Sequence, residues 1–338
     1  MSDVTRRLAL GTILYPFAIY PLYGDEPPEA LAGQSDMRLI IPGPPGATFD
    51  HYGRLIARHI GRHLPNRPVV VAQNMPGASG GIAANYLCNV APKDGSVIGF
   101  VLKQQPMLEA IGERAPSRFQ WIGSPARLPE TLVVWHATGV RTIEATRHRV
   151  INLGATTPSG ASYVMPKLAN EFAGTKFKIV TGYSSGPHLK LAMERGEVEA
   201  VSAEPWAEWK AMRPDWVREG KIVPILQMGL RKHPELPDVP LVTELPMSNT
   251  ARAVFEIAAI TSEISRPLVA PPDVPQEQVA LLRAAFDATV ADPAFLEDAA
   301  RSGADIDPIS GNELATLVGR VSGARQNAVD ALRTAMTR

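Results

Sequence analysis

The sequence predicts a parallel α/β architecture divided into two lobes, and three observations carry that reading. Short apolar runs alternate with segments of helical periodicity. Most such runs end in a loop rich in glycine, proline or hydroxyl residues. The cycle restarts near Val150, after a polar stretch. Strand and helix in alternation is the rhythm of βαβ units, and right-handed crossovers put each strand-to-helix loop at the carboxyl edge of the sheet, where open α/β folds take ligands.

The first cycle begins at Met37–Ile41, an apolar run ended by Pro42, which has no ladder donor. Tyr52, Leu55, Ile56, Ile60 and Leu64 then recur at the three-and-four spacing of one helical face, with Thr48 or Asp50 as cap. Between them, Gly43 to Gly46 combines glycines free in φ with Pro44 and Pro45, where φ is pinned. The helix start beyond it carries roughly half a positive charge, which attracts carboxylate or phosphate. On spacing alone, an ordinary βα turn that binds nothing is the simpler reading.

Pro68 to Gln73 is the second strand, followed by a glycine-rich loop starting at Asn74 and a helix from Ile82 to Val90. Ser96 to Leu102 is the third strand and leads to Gln104; residues 119–124 and 131–136 are further strands. The polar segment 139–149 is read as a helix or linker into the second lobe. There, strand 150–155, loop 156–162 and helix 163–172 repeat the first cycle. Strand 177–181 opens onto Gly182-Tyr183-Ser184-Ser185-Gly186, and Pro187 suits the first turn of the next helix. Strand 198–202, helix 204–212 and strand 222–227 complete the lobe. Residues 233–246 form a proline-rich surface stretch, and 251–260 is helical. The chain then returns to the first lobe, on which helices 276–290 and 311–335 pack. This gives lobe one as residues 37–138 plus 265–338 and lobe two as 139–264, with hinges at 137–149 and 255–268.

At 338 residues, 45% hydrophobic and 20% charged, the chain suits a globular protein with two cores. Lysine plus arginine equals aspartate plus glutamate at 34 each, so no basic field points to nucleic acid. Cys88 is the single cysteine, which excludes an intrachain disulfide. Arg6-Arg7 ahead of the apolar, proline-broken Leu8–Leu22 reads as an export signal, loosely of the twin-arginine kind, with Ala30-Leu31-Ala32 as a cleavage candidate. Residues 1–32 are thus expected to be a leader removed in the periplasm, and no later segment is long and apolar enough to cross a bilayer.

Three constellations compete with a binding site at the loops. Gly77-Ala78-Ser79-Gly80-Gly81 fits the G-x-S-x-G pattern of a hydrolase nucleophile elbow, although Asn74-Met75-Pro76 separates it from the strand. His59 and His63 stand four apart and could chelate a metal, but no HExxH-like companion exists and a solvated face is the simpler reading; no metal is expected. Trp206, Trp209 and Trp216 could stack on a ligand or pack in a core.

The order IIPGPPGATFD, RPVVVAQNMPGASGGIAANYLCNVAPKDGSVIGFV, KFKIVTGYSSGPHLKLAMERGEVEA and HPELPDVPLVTEL resembles the Bug family, the periplasmic substrate-binding proteins of tripartite tricarboxylate transporters, over about residues 37 to 330. The resemblance implies a type II periplasmic-binding-protein fold whose lobes close on a small organic carboxylate. It also implies a monomer without cofactor or catalytic residue that delivers the ligand to membrane permease subunits. Carried onto this sequence, the first loop contributes Pro45, Gly46, Ala47, Thr48 and Asp50, with Asp50 the better placed as a cap. The second-lobe loop contributes Thr156, Thr157, Ser159, Gly160 and Ser162, and Asn74, Gln104, Tyr183, Ser184 and Glu204 complete the set. The sequence departs from the family pattern at Gly43, where an aromatic is usual, at Ala47 in place of a second glycine, at Ser184 in place of a lysine, and at Ala203, with the acidic residue one place on at Glu204. These departures leave the ligand open and weaken the case for a highly charged one. A Ser79 hydrolase and a ligand sensor for a signalling partner remain the alternatives.

Overall fold

A computed structural model describes residues 36–337 except 116 and 159, so the expected leader and Ser159 lie outside the described residues. The first sheet contains β1 (Met37–Ile41), β2 (Val70–Asn74), β3 (Val97–Phe100), β4 (Gln120–Ser124), β10 (Leu268–Ala270) and β11 (Ile309–Ser310), in the order β11-β4-β10-β3-β1-β2. β1 runs parallel to β2 and β3, while β10 pairs antiparallel with β3 and β4. The second sheet contains β5 (Glu130–Trp135), β6 (Ile151–Gly154), β7 (Phe177–Val180), β8 (Ala200–Pro205) and β9 (Ile222–Met228), in the order β7-β6-β8-β5-β9. β6 is parallel to β7 and β8, and β5 is antiparallel to β8 and β9.

Helix α1 (Thr48–Ile60) lies on the first sheet through the predicted stripe of Tyr52, Leu55, Ile56 and Ile60, all buried; each Leu or Ile contributes about 1.5–3 kcal/mol. Gly53 on the same face lets the helix approach the sheet closely, since a Cβ there would stand 2.6 Å from Ile41 Cδ1 and push that side chain aside. Helices α2 (Gly81–Asn89) and α3 (Gln105–Ala110) follow β2 and β3. In the second lobe, α4 (Ala161–Ala173) follows β6 and α5 (Gly186–Glu194) follows β7. After β8 come α6 (Trp206–Met212) and α7 (Pro214–Arg218), and α8 (Asn249–Glu263) leads back to the first sheet. The chain ends with α9 (Gln276–Ala291), α10 (Pro293–Ser302), α11 (Gly311–Ser322) and α12 (Gln326–Thr337).

Two expectations are corrected here. β5, expected in lobe one, is a fully engaged strand of the second sheet, so the first crossover is the segment between Ser124 and Glu130 and not 137–149. Pro125 and Pro129, neither able to donate to a ladder, bracket it. The single helix expected over 311–335 is broken between Ser322 and Gln326, and α12 packs mainly on α8 and α4 of the second lobe. Leu332 and Val329 of α12 therefore share one apolar core with Phe255 of α8, Leu168 of α4 and Met107 of α3. The lobes are thus joined by packed side chains as well as by chain.

The two crossovers are also tied to each other. Ser124 Oγ, fully buried, donates to Ala126 O at 3.0 Å and accepts from Arg266 N–H at 3.2 Å, which joins the outgoing segment to the returning one. Nearby, Lys103 after β3 pairs with Glu130 of β5, whose other oxygen accepts from Ser262 Oγ of α8 at 2.7 Å. All three side chains are buried.

Candidate functional site

The loop after β1 is held from inside. Asp50, in the first turn of α1, is 5% exposed; its Oδ2 accepts from Gly46 N–H at 2.9 Å, and its Oδ1 accepts from Arg54 Nε and Asn74 Nδ2, both at 2.9 Å. Asn74 also donates to Gly43 O at 2.9 Å. Burial pushes the Asp50 carboxyl up, but the bonds from Arg54, Gly46 and Asn74 outweigh it and hold the group below its ordinary value. Gly46 takes a φ of +79°, which glycine adopts without strain. No side chain caps α1 at Ala47, so the first-turn amides face outward.

They face a cleft of about 520 Å³, which Pro44, Pro45, Gly46, Ala47, Thr48, His51 and Tyr52 line from the first lobe. From the second lobe come Ser185, Gly186, Pro187 and Lys190 at the start of α5, with Glu204, Ala207, Glu208, Ala211 and Met212. Ser185 and Gly186 begin α5 without a side-chain cap, so two uncapped helix starts share this space. Gly186 lies against Glu204, and a Cβ there would collide with Glu204 Oε1. Lys190 Nζ lies 3.1 Å from Glu204 Oε2 and 4.7 Å above the Trp209 ring, yet it has no hydrogen bond. Glu204 is pushed up to about 7, first by burial; Lys190 opposes the shift and Glu208 adds to it. Arg266, 6% exposed, donates to Glu208 Oε1 at 2.8 Å and stacks on Phe49 and Tyr52. His51 has a buried, unpaired Nε2. Burial first, then the Arg58 charge, holds that histidine below its usual value.

Of the residues expected from sequence, Pro45, Gly46, Ala47, Thr48 and Glu204 meet in this cleft. Asp50 and Asn74 stand behind the loop as its ties. The loop at 156–162 closes on itself: Ser162 Oγ accepts from Thr156 N–H at 3.0 Å and lies 3.1 Å from Thr156 Oγ1, and Ser162 O accepts from Ser202 Oγ. Thr156, Thr157, Gly160 and Ser162 are not among the residues lining the cleft. Gln104 lines a separate, water-sized cavity of about 20 Å³ beside Glu130 and Ser262. Tyr183 packs against the core containing Trp209, and Ser184 Oγ lies 3.0 Å from His188 Nδ1.

Lys190, Glu208, Arg266 and His51 went unread in the sequence. A lysine between Leu189 and Leu191 looks like an ordinary solvated helix position, and Arg266 looks like punctuation before Pro267. A charge inside the apolar run that returns to the first sheet was the available signal.

The competing constellations find other uses. Trp209 and Trp216 stack at 6.2 Å in the core. His59 and His63 bond Asp298 and Asp292 on α10 at 2.9 and 3.0 Å, so they join two helices and do not form the solvated face expected. Among the described residues no group of three or more His, Cys, Asp or Glu is placed to hold a metal. Ser79 stands five residues past the end of β2 in a left-handed conformation, and its carbonyl accepts from Arg114. That is not the turn directly after a strand which a nucleophile elbow requires.

This two-sheet fold matches known structures. A TctC solute binding protein from Polaromonas superposes with a TM-score of 0.67 at 19% identity, covering 89% of this chain and 98% of that one. The periplasmic binding protein BugD gives 0.64 at 19%, covering 89% and 97%. MatC from Rhodopseudomonas palustris, with bound malate, gives 0.63 at 19%, covering 88% and 98%. The fold is that of a type II periplasmic binding protein. No family model and no curated protein matches the chain. In this binding-protein fold the cleft described above lies between the two sheets.

Proposed function

We propose that the chain is an exported, non-enzymatic solute-binding protein that captures a small organic carboxylate and delivers it to the permease of a tripartite tricarboxylate-type transporter. The observation that carries this reading is the meeting of two uncapped helix starts, α1 and α5, with the buried Lys190 in one cleft. Amides and an ammonium directed at one space suit an anion, and the similarity in fold to MatC with bound malate and to a Rhodopseudomonas palustris protein with adipate supports a carboxylate. A micromolar complex needs about 8 kcal/mol, within reach of several neutral hydrogen bonds at about 1 kcal/mol and two charge-assisted ones at about 1.5–3. The contact set in this reading is Pro45 to Thr48, Ser185 to Pro187, Lys190 and Glu204. The lobes comprise residues up to Ser124 with the stretch from Leu268 to β11, and residues 130–263, with α11 and α12 bridging. Residues 1–32 act as the cleaved leader to the periplasm.

A thermal-shift screen across mono-, di- and tricarboxylic acids tests this, because a ligand at a hundred times its dissociation constant adds about 2.7 kcal/mol of stability. At least one acid is expected to raise Tm. A flat response to every acid would remove the carboxylate assignment.

A further inference from the structure

The fixed charges at the cleft are few enough to count, and they point to a class of acid within the reading just given, on which this inference rests. Lys190 from α5 and Arg266 from the crossover are the buried cations; Glu204 from β8 and Glu208 from α6 are the carboxylates that face them. With Glu204 ionised, these four groups sum to zero; Asp305 lines the same cleft but stands apart from them. Across the space, α1 presents His51, uncharged at pH 7, and the phenol of Tyr52, which donates to Asp305 O at 3.0 Å. Asp305 itself is exposed and solvated.

An anion entering this neutral set needs a free donor and a compensating charge. The donor is Lys190. Lys190 is 3% exposed, its Nζ has no hydrogen bond, and it lines the cleft one turn from the uncapped start of α5. The compensation has to come from one of the two carboxylates. Glu208 is bonded to Arg266, whereas Glu204 lies against Gly186, between the Lys190 ammonium and the Glu208 carboxylate.

We propose that the cleft is built for a ligand with a single carboxylate, which takes the free donors of Lys190, and that Glu204 gains a proton as that ligand enters. Two cations then face Glu208 and the ligand, and the site is neutral again. A dicarboxylate brings a second charge that only the start of α1, about half an elementary charge, is placed to meet. Burial and Glu208 already bring Glu204 close to protonation at neutral pH, so the proton is taken at little cost.

Calorimetry on the purified full chain tests this with length-matched acids: butyrate against succinate, hexanoate against adipate, benzoate against terephthalate. In at least one pair the monocarboxylate is expected to bind more tightly by about tenfold or more. Titrations in buffers of different ionisation enthalpy should show close to one proton taken up at pH 8, with affinity about tenfold lower at pH 8 than at pH 6. Glu204→Gln should abolish both the uptake and the pH dependence, and Lys190→Met should lose about tenfold or more with Tm confirming the fold. Should Lys190→Met fail to fold, the proton count and Glu204→Gln decide. Dicarboxylates bound as tightly as their partners, or binding without proton uptake, would overturn the inference and leave the carboxylate reading standing. No binding by any of the six acids would overturn both.

Discussion

The loop after β1 and the loop after β6 occupy equivalent places in the two sheets, and each opens a helix of 13 residues. Their internal bonding differs. In the first, a carboxylate from within the helix, Asp50, reaches back to Gly46 and outward to Arg54 and Asn74, which leaves the helix start without a cap and facing the cleft. In the second, the hydroxyl of Ser162 folds onto Thr156 and its carbonyl accepts from Ser202, so these groups are engaged inside the lobe, while Thr157 is exposed. The start of α4 is uncapped as well, yet in the second lobe it is the start of α5, and not that of α4, which lines the cleft.

The sharpest way to break the contrast is Asp50→Ala, which strands the donors of Gly46, Arg54 and Asn74 together. Urea unfolding should show a loss of about 3 kcal/mol. The Asp50 carboxyl lies below its ordinary value, so the stabilisation it supplies is present above the usual carboxylate range and is lost as pH falls through the folded value. The variant should be less acid-sensitive than the parent. An unchanged midpoint would mean that the loop needs no brace.

On the second-lobe wall the sign reverses. Glu204 is raised to about 7, by burial first, so the folded protein holds that proton more tightly than the unfolded chain does. Its contribution is present below the ordinary glutamate range and disappears as pH rises through about 7. The difference in stability between Glu204→Gln and the parent should therefore grow by roughly 1–3 kcal/mol between pH 4 and pH 8, in favour of the variant. A difference that does not vary with pH would remove Glu204 from the buried set.

Ser162→Ala should cost about 1 kcal/mol and leave acid affinity as it was, since its hydroxyl is engaged with Thr156. A tenfold loss of affinity would show that the second loop holds ligand after all. The smallest effect is expected from Thr48→Asp: a negative charge at the open start of α1 should add about 0.3–1 kcal/mol to stability while weakening acid binding.

The strand and helix order, the apolar face of α1 and the loop at Pro44 to Thr48 were legible because periodicity, proline and glycine are local signals. Legibility ended where partners are distant in sequence. β5 reads as one more strand of the first cycle until its pairing with β8 and β9 is seen. Lys190 and Arg266 acquire meaning only through Trp209, Glu204 and Glu208, which the fold brings to them. The loop at 156–162 meets the same limit. Its hydroxyls look available in the sequence, and nothing local says that Ser162 turns back on Thr156.

Ser124 couples the two connecting segments. Because one buried hydroxyl bonds both of them, drawing them apart at this point breaks hydrogen bonds and strands their partners, at about 1–3 kcal/mol, so a change at this single residue bears on both connections at once.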